Sequence, residues 1–200
     1  RDFCLSRGLG DVYKRQDISQ YVLMNYKQPF EYVKEGGDKG FHKKGEWAKA
    51  AYWIVQNSNL TAGEGGAAVD LAFKTKYGDG SDAGLALQTD WGFDNPKNDG
   101  KVYQTSHLQK GKYKLTAHVY EYDGRGFIGY VAVCKGNEMA NTSDIPSKSL
   151  ANASISGTGD VVVDILVEEP TDVVIGFVCT ITVKQGRAKI DNFKLELVEQ

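Results

Sequence analysis

Apolar and polar residues alternate along residues 102–122, on both sides of a short turn at Lys110-Gly111. After the turn, one set of alternate positions is mainly apolar and the other is mainly polar. The first set is Tyr113, Leu115, Ala117, Val119 and Glu121, and the second is Lys114, Thr116, His118, Tyr120 and Tyr122. Side chains of an extended strand switch faces at every residue, so this period indicates a half-buried antiparallel strand. Glycine adopts positive φ readily, and the turn therefore predicts a hairpin.

The same kind of pattern predicts further strands along the rest of the chain. They cover residues 17–26, 52–56, 67–75, 85–89, 127–135, 161–167, 173–183 and 188–198. A short helical turn is predicted near residues 47–51, and a long polar connection at 136–159. Some ten short strands with turn signals between them predict an all-β fold, an antiparallel sandwich.

The first sixteen residues do not share this alternation. They end in DVYKRQ, which resembles translated sequencing-adapter read-through. Residues 1–16 are therefore predicted to be a non-native or disordered segment, with a genuine N-terminal arm as the alternative, and residues 17–200 to be one domain. A signal peptide could have been lost with such a start, so the start of the chain does not decide where the protein acts.

Composition narrows the function classes. The chain is 41% hydrophobic and 25% charged, with a formal net charge of −2. Nucleic-acid binding depends on Lys and Arg that replace phosphate counterions, and the absence of a basic stripe argues against that class. No apolar run reaches the length of about 18 residues that a membrane span needs. Cys134 and Cys179 lie in predicted strands, where two buried free thiols and a disulfide both remain open.

Several segments resemble a known family. The run YQTSHLQKGKYKLTAHV, the ending AKIDNFKLEL, and VAVCKGNEMANTSDIPSKSLANAS followed by TDVVIGF are similar to galactose-binding-like jelly-roll domains of uncharacterised bacterial surface lipoproteins. The resemblance implies an exported protein with a jelly roll of eight or more strands, and carbohydrate or cell-surface glycan binding as its commonest role. It also implies a structural calcium at Asp191, for which a hydrogen-bonded strand aspartate is the alternative. Fold alone does not decide function.

Connections in an antiparallel sandwich alternate between its two ends, which predicts where a site lies. The turn at 108–112 is expected at one end, and the connections at 90–101, 123–126, 168–171 and 57–66 at the other. The second end would gather the predicted ligand-binding residues Trp91, Phe93, Asp94, Asn95, Tyr122, Asp123 and Arg125. Aromatic faces beside amide, carboxylate and guanidinium groups suit a sugar. The alternative is that Trp91 and Phe93 fold inward and close the end of the core.

Catalytic patterns are weak. Glu121 and Asp123 share a strand face, and a glycosidase needs two carboxylates roughly 5–10 Å apart across a sugar. His42, His107 and His118 lack metal-ligand spacing, and no G-x-S-x-G nucleophile motif is present. Of the neighbouring aromatics Tyr52 and Trp53, one is expected to pack into the core, since adjacent strand residues face opposite ways.

The sequence therefore predicts a non-catalytic carbohydrate-binding module of an exported bacterial surface protein, acting outside the cell or at its surface. Its partner would be a carbohydrate or surface glycan, with neighbouring domains in a longer protein, no nucleic acid, no membrane span and no cofactor besides the calcium. One alternative is a structural or adhesive domain without a small ligand, and another is a glycoside hydrolase.

Overall fold

The computed structural model of the protein describes residues 15–33, 47–56, 67–70, 84–88 and 97–199. Two short helices lie in these ranges, α1 (Ser19–Val22) and α2 (Ile145–Lys148). The strands are β1 (Gln16–Asp17), β2 (Tyr32–Val33), β3 (Trp47–Ala50), β4 (Ile54–Gln56), β5 (Ala67–Asp70), β6 (Gly84–Gln88), β7 (Lys97–Leu108), β8 (Gly111–Asp123), β9 (Phe127–Lys135), β10 (Ala151–Ser154), β11 (Gly159–Val167), β12 (Thr171–Ile181) and β13 (Arg187–Glu199). Neither helix is long and apolar enough to cross a membrane.

The strands from β6 to β13 form a sandwich by nested antiparallel pairing. β6 pairs with β13, β7 with β12, β8 with β11, and β9 with β10. This ribbon is rolled up, so that β11-β8-β13-β6 are neighbours in one sheet and β10-β9-β12-β7 in the other. Two facing sheets connected in this way form a jelly roll. The predicted all-β jelly-roll sandwich is confirmed, and β5, β3 and β2 extend the first sheet while β4 extends the second.

The predicted hairpin around Lys110 is wrong, although its two strands are present. β7 pairs with β12 and β4, whereas β8 pairs with β11 and β13. The turn therefore carries the chain from one sheet to the other. Alternation shows which side chains point inward, but it does not show which strand supplies the backbone hydrogen bonds.

Two of the three register shifts in the pairing of β8 with β13 decide which side chains near the site face the core. The register shifts by one residue at Tyr120 and again at Asp191. Beyond the first shift, Tyr122 turns toward the core and meets Phe127 edge-on, with ring centroids 5.5 Å apart. Glu121 takes the opposite face of the sheet. A one-residue shift exchanges the two faces, which strict alternation could not anticipate.

The strand predicted at 17–26 is wrong for most of its length. Within this stretch β1 pairs with β13, and the chain then continues through α1 as an arm that contacts both sheets and meets β13 again at the bridge between Lys27 and Asn192. The main-chain nitrogen of Ile18 donates to the Leu195 carbonyl at 2.9 Å. Further along the arm, the Met24 carbonyl accepts a hydrogen bond from Gln104 Nε2 at 2.5 Å. The arm divides its hydrogen bonds between two sheets, so it cannot continue as one strand.

Other local predictions had mixed outcomes. The helical turn predicted near residues 47–51 is wrong, because β3 occupies most of that stretch and pairs with β5 and β2. The predicted pairing of the strands at 67–75 and 85–89 is confirmed by β5 and β6, which pair antiparallel, while residues 71–75 and 89 of the two predictions lie outside the described residues. Trp53 is buried and Tyr52 is exposed, which confirms the expected division between these two aromatics.

The connection after β9 covers the outer face of the second sheet. It was predicted to be plain polar chain, but it contains α2 and β10. Its apolar side chains join outward-facing residues of the sheet in a second, smaller core. This core contains Tyr103, Ala132, Cys134, Met139, Ile145, Val174 and Val178. Much of that face is therefore closed to a ligand, and recognition is left to the ends and the other face.

The two strand cysteines lie on opposite sides of the second sheet. Cys179 belongs to the core between the sheets, whereas Cys134 belongs to the smaller outer core. Both thiols are free and buried, and burial raises the pKa of each. The disulfide alternative is therefore wrong for this fold.

Candidate functional site

The connections alternate between the two ends of the sandwich once β10 is counted as a strand. We call the end that carries residues 124–126, 155–158 and 182–186 the site end, and the end that carries residues 109–110, 136–150 and 168–170 the far end. At the site end Asp123 lies opposite Arg187, which lies opposite Gln88. The connection at 168–171 was expected at this end and lies at the far end instead, since Val167 pairs with Gly111. The short strand β10 adds the reversal that the sequence reasoning missed.

Four of the predicted ligand-binding residues, Trp91, Phe93, Asp94 and Asn95, lie outside the described residues. The strands on either side of their segment can be placed. Gln88 at the end of β6 pairs with Arg187, and Lys97 at the start of β7 pairs with Ile181. Both points lie at the site end.

Asp123 and Arg125 form the centre of the described site. Arg125 Nε donates to Asp123 Oδ1 at 2.9 Å, and Nη2 donates to Asp123 Oδ2 at 2.5 Å. The main-chain nitrogen of Arg125 also donates to Oδ1 at 3.2 Å, which closes the turn. The hydrogen bond from the Arg125 side chain lowers the pKa of Asp123 to about 2, so this carboxylate is ionised at neutral pH.

The loop after β12 supports this pair from the other side. Arg125 Nη2 donates to Gln185 Oε1 at 3.1 Å, and Gln185 has a positive φ of 64°. The next residue, Gly186, lies so close to the 124–126 turn that a Cβ there would be 2.6 Å from the Arg125 carbonyl oxygen. Positive φ is uncommon for residues other than glycine and is often found at functional sites.

A second ionic group lies beside the first on β8 and β13. Glu121 is bound by Arg187 and, at 3.1 Å, by the ammonium group of Lys189. Arg187 Nη1 also lies 3.5 Å from Asp123 Oδ2. Arg187 thus joins the two carboxylates, and the five charged groups form one network.

Tyr122 does not join this network, because its ring faces the core against Phe127. The sequence reasoning missed Gln185, Arg187 and Lys189 as members of the site. Had residues 151–154 (ANAS) been predicted as a strand, the loop at 182–186 would have been expected at the site end. Gln185, Arg187 and Lys189 would then have been candidates for the site.

Asp191 lies at the second register shift of β13. Its Oδ1 is 2.8 Å from His118 Nδ1, and its main-chain carbonyl accepts a hydrogen bond from Gln28. Within the described ranges, no group of three or more His, Cys, Asp or Glu side chains could hold a metal ion. Calcium takes six to eight oxygen ligands, and of the described acidic side chains only that of Asp191 would be available as a ligand here. Calcium binding stays a prediction.

Two clefts lined by described residues lie at the far end. One has a volume of about 390 Å³ and is lined by Lys110, Lys112, Leu166, Glu168 and Glu199, among others. The second, of about 250 Å³, shares Leu166 and Glu168 and lies toward Lys135. Lys112 Nζ lies 2.6 Å from Glu199 Oε2, and both residues line the first cleft. Both clefts lie beside Leu166 and Val167 at the end of β11, and no pattern along the chain indicated them.

A family model matches residues 24–176, about three quarters of the chain. The chain belongs to the family described as "Domain of unknown function (DUF5013)". No curated protein matches the sequence of this DUF5013 chain.

Two solved structures are similar to the DUF5013 chain. One is TmCBM61 in complex with beta-1,4-galactotriose, with 15% identity over 82% of this chain and 96% of that chain, at a TM-score of 0.46. The other holds the CBM22-1–GH10 modules of the Clostridium thermocellum endo-1,4-beta-D-xylanase 10B complexed with xylohexaose. It has 13% identity over 86% of this chain and 28% of that chain, at a TM-score of 0.31. The assignment of the fold depends on the strand order described above and not on these two structures.

Proposed function

We propose that the protein is a non-catalytic glycan-binding module, and that it binds its ligand at the site end. The observation that carries the proposal is the network of Asp123, Arg125, Gln185 and Arg187. Its hydrogen bonds fix an exposed guanidinium group before any ligand arrives. Groups that are already ordered lose less conformational entropy on binding, which favours affinity for a flexible polar ligand such as a sugar.

The chain supplies a candidate stacking surface for the same site. Trp91 and Phe93 belong to the segment between Gln88, at the end of β6, and Lys97, at the start of β7. Gln88 pairs with Arg187 and Lys97 pairs with Ile181, so this segment starts and ends at the site end. Aromatic rings stack on the C–H faces of sugars, while polar groups bind the hydroxyls. Asp94 and Asn95 would provide further polar contacts to the ligand. The module would act outside the cell or at its surface.

A glycoside hydrolase is less well supported by the same geometry. A hydrolase needs one carboxylic acid that can donate a proton. The pKa of Asp123 is lowered to about 2 by its hydrogen bond to Arg125, which leaves no proton to donate at neutral pH. Glu121 is bound by Arg187 and Lys189. Both carboxylates thus hold cations in place, and a binding role accounts for them better.

One observation favours a structural or adhesive domain as the second candidate. β11 is the last strand of its sheet, and its outward residues Val162 and Leu166 are exposed. Edge strands commonly carry Lys, Pro or bulges that discourage pairing with another chain. The pairing of β11 with β8 is regular throughout, and the only charged residues of the strand are the exposed Asp160 and Asp164, with neither Lys nor Pro. A Leu166→Lys variant that abolishes self-association or partner capture, with glycan binding absent, would favour this candidate.

Affinity gel electrophoresis against a panel of soluble plant and microbial polysaccharides tests the leading proposal. We expect retardation by at least one polysaccharide, loss of retardation in Trp91→Ala and weakening in Arg125→Ala. Tyr21→Ala is the matched control, since Tyr21 is an exposed aromatic on the N-terminal arm. Absence of binding across the panel, or equal binding by wild type and Trp91→Ala, would count against the proposal.

A further inference from the structure

The carboxylate at the centre of the site end has little capacity left for a ligand. Asp123 Oδ1 accepts from the main-chain nitrogen and the Nε of Arg125, at 3.2 and 2.9 Å. Oδ2 accepts from Nη2 of Arg125 at 2.5 Å and lies 3.5 Å from Nη1 of Arg187. An ionised carboxylate offers about four lone-pair positions. Three of these positions accept hydrogen bonds from Arg125, and Arg187 lies within ion-pair distance of Oδ2, so Asp123 is poorly placed to accept from a sugar hydroxyl.

Arg125, in contrast to Asp123, still has a group that could bind a ligand. Its Nε and Nη2 are engaged by Asp123 and Gln185, while its Nη1 has no hydrogen-bond partner within the described ranges. The side chain is 61% exposed, yet its orientation is fixed on two sides. A guanidinium group donates hydrogen bonds and cannot accept them. The group still available for a ligand is therefore a fixed, positively charged donor.

The charges around Arg125 point the same way. The network contains three cations, Arg125, Arg187 and Lys189, and two carboxylates, Asp123 and Glu121. Each carboxylate is already in contact with two cations, so the repulsion that either would exert on an anionic ligand group is offset. A guanidinium group binds any acceptor by a charge-assisted hydrogen bond, and a charged acceptor adds Coulomb attraction that a neutral hydroxyl lacks. An anionic group on the ligand would gain most at this position.

We infer that the site end recognises an acidic group on its glycan, with the carboxylate of a uronic acid or a sulfate ester accepting from Arg125 Nη1. The inference rests on the proposed glycan-binding function and specifies its ligand class. Asp123 and Gln185 serve as positioning residues, because they orient the guanidinium group rather than contact the ligand.

Matched polymers separate charge from sugar recognition. Affinity electrophoresis is run with polygalacturonate, its methyl ester, alginate and dextran sulfate, alongside neutral galactan. We expect at least one acidic polymer to bind wild type about ten-fold more tightly than the neutral polymers, the gain of one charge-assisted hydrogen bond. Arg125→Gln should lose this preference. Lys135→Gln, an exposed residue at the far end, removes the same charge and should keep it. Gln185→Ala should weaken acidic binding with unchanged thermal stability.

The outcomes distinguish the two proposals. Binding of neutral and acidic polymers with equal affinity would overturn the acidic-group inference and leave glycan binding standing. Equal losses in Arg125→Gln and Lys135→Gln would also overturn it, because the effect would then follow net charge. Binding of dextran sulfate alone, lost in Arg125→Gln, would support the inference with a sulfate ester as the acidic group. No binding to any polymer in either panel would overturn both proposals.

Discussion

Trp53 lies against Phe193, with ring centroids 5.2 Å apart and ring planes tilted by 38°. Trp53 is 3% exposed, and its indole nitrogen donates to the main-chain carbonyl of Asn25 at 2.8 Å. One side chain thus connects the core, the turn before β4 and the N-terminal arm. We expect Trp53→Ala to lower the free energy of unfolding by about 3–5 kcal/mol, as measured by urea denaturation.

The neighbouring Tyr52 provides the control for this prediction. It is 59% exposed, and Tyr52→Ala should change the free energy of unfolding by less than about 0.5 kcal/mol. Equal losses in the two variants would contradict the packing described for Trp53.

Gly176 lies in the middle of β12, where the chain leaves no room for a side chain. A Cβ at this position would be 2.1 Å from the Val102 carbonyl oxygen and 2.6 Å from Tyr103 Cα. Backbone atoms cannot move aside as a side chain can, so Gly176→Ala should destabilise the protein by about 3 kcal/mol or prevent folding. Gly157→Ala is the matched control, since no atom lies within 4 Å of its Cβ position. Thermal unfolding of both variants tests the difference, and a stable Gly176→Ala protein would show that β7 and β12 are not packed this closely.

Glu121 neutralises two cations on the outer face of the first sheet. Glu121→Gln removes the one carboxylate that contacts both Arg187 and Lys189, and the side chain of Lys189 is only 6% exposed. We expect Glu121→Gln to reduce the free energy of unfolding by about 3 kcal/mol. The exposed pair of Lys112 and Glu199 gives the comparison, and Glu199→Gln should cost less than about 1 kcal/mol. Urea denaturation at neutral pH measures both variants. An unchanged free energy of unfolding in Glu121→Gln would mean that other groups hold Arg187 and Lys189 adequately.

The pairing of Asp123 with Arg125 predicts an acid-dependent loss of stability. The folded-state pKa of Asp123 is about 2, below the value of about 3.9 in an unfolded chain. A carboxyl group whose pKa is lowered on folding stabilises the protein above its unfolded pKa, and this contribution declines as the pH falls toward the folded pKa. The stability difference between wild type and Asp123→Asn should therefore be constant above about pH 5 and shrink between pH 4 and 2. Denaturation curves across this range measure the difference, and a difference that persists unchanged at pH 2 would argue against the ion pair.

Part of the site could be found from the sequence because strand alternation and loop alternation are local regularities. They brought Asp123 and Arg125 to one end and identified the strands β7, β8, β9, β11, β12 and β13. The same reasoning overlooked Gln185 and Arg187, since β10 has only four residues and lies in a polar stretch. One missing strand reverses the predicted end of every later connection, which explains why 168–171 was placed at the wrong end.

Long-range pairing lay beyond local pattern. β6 pairs with β13 across about a hundred residues, and β7 and β8 belong to different sheets despite the tight turn between them. The register shifts at Tyr120 and Asp191 likewise depend on how two distant strands meet.

The sequence alone determined that alternate side chains of these strands would be buried, because the two-residue period of an extended chain places successive residues on opposite faces. The tertiary structure decided which strands pair, that Tyr122 packs into the core, and that Arg187 joins Asp123 to Glu121. These outcomes depend on backbone hydrogen bonds and contacts between residues far apart in the chain, whose energies no local pattern encodes.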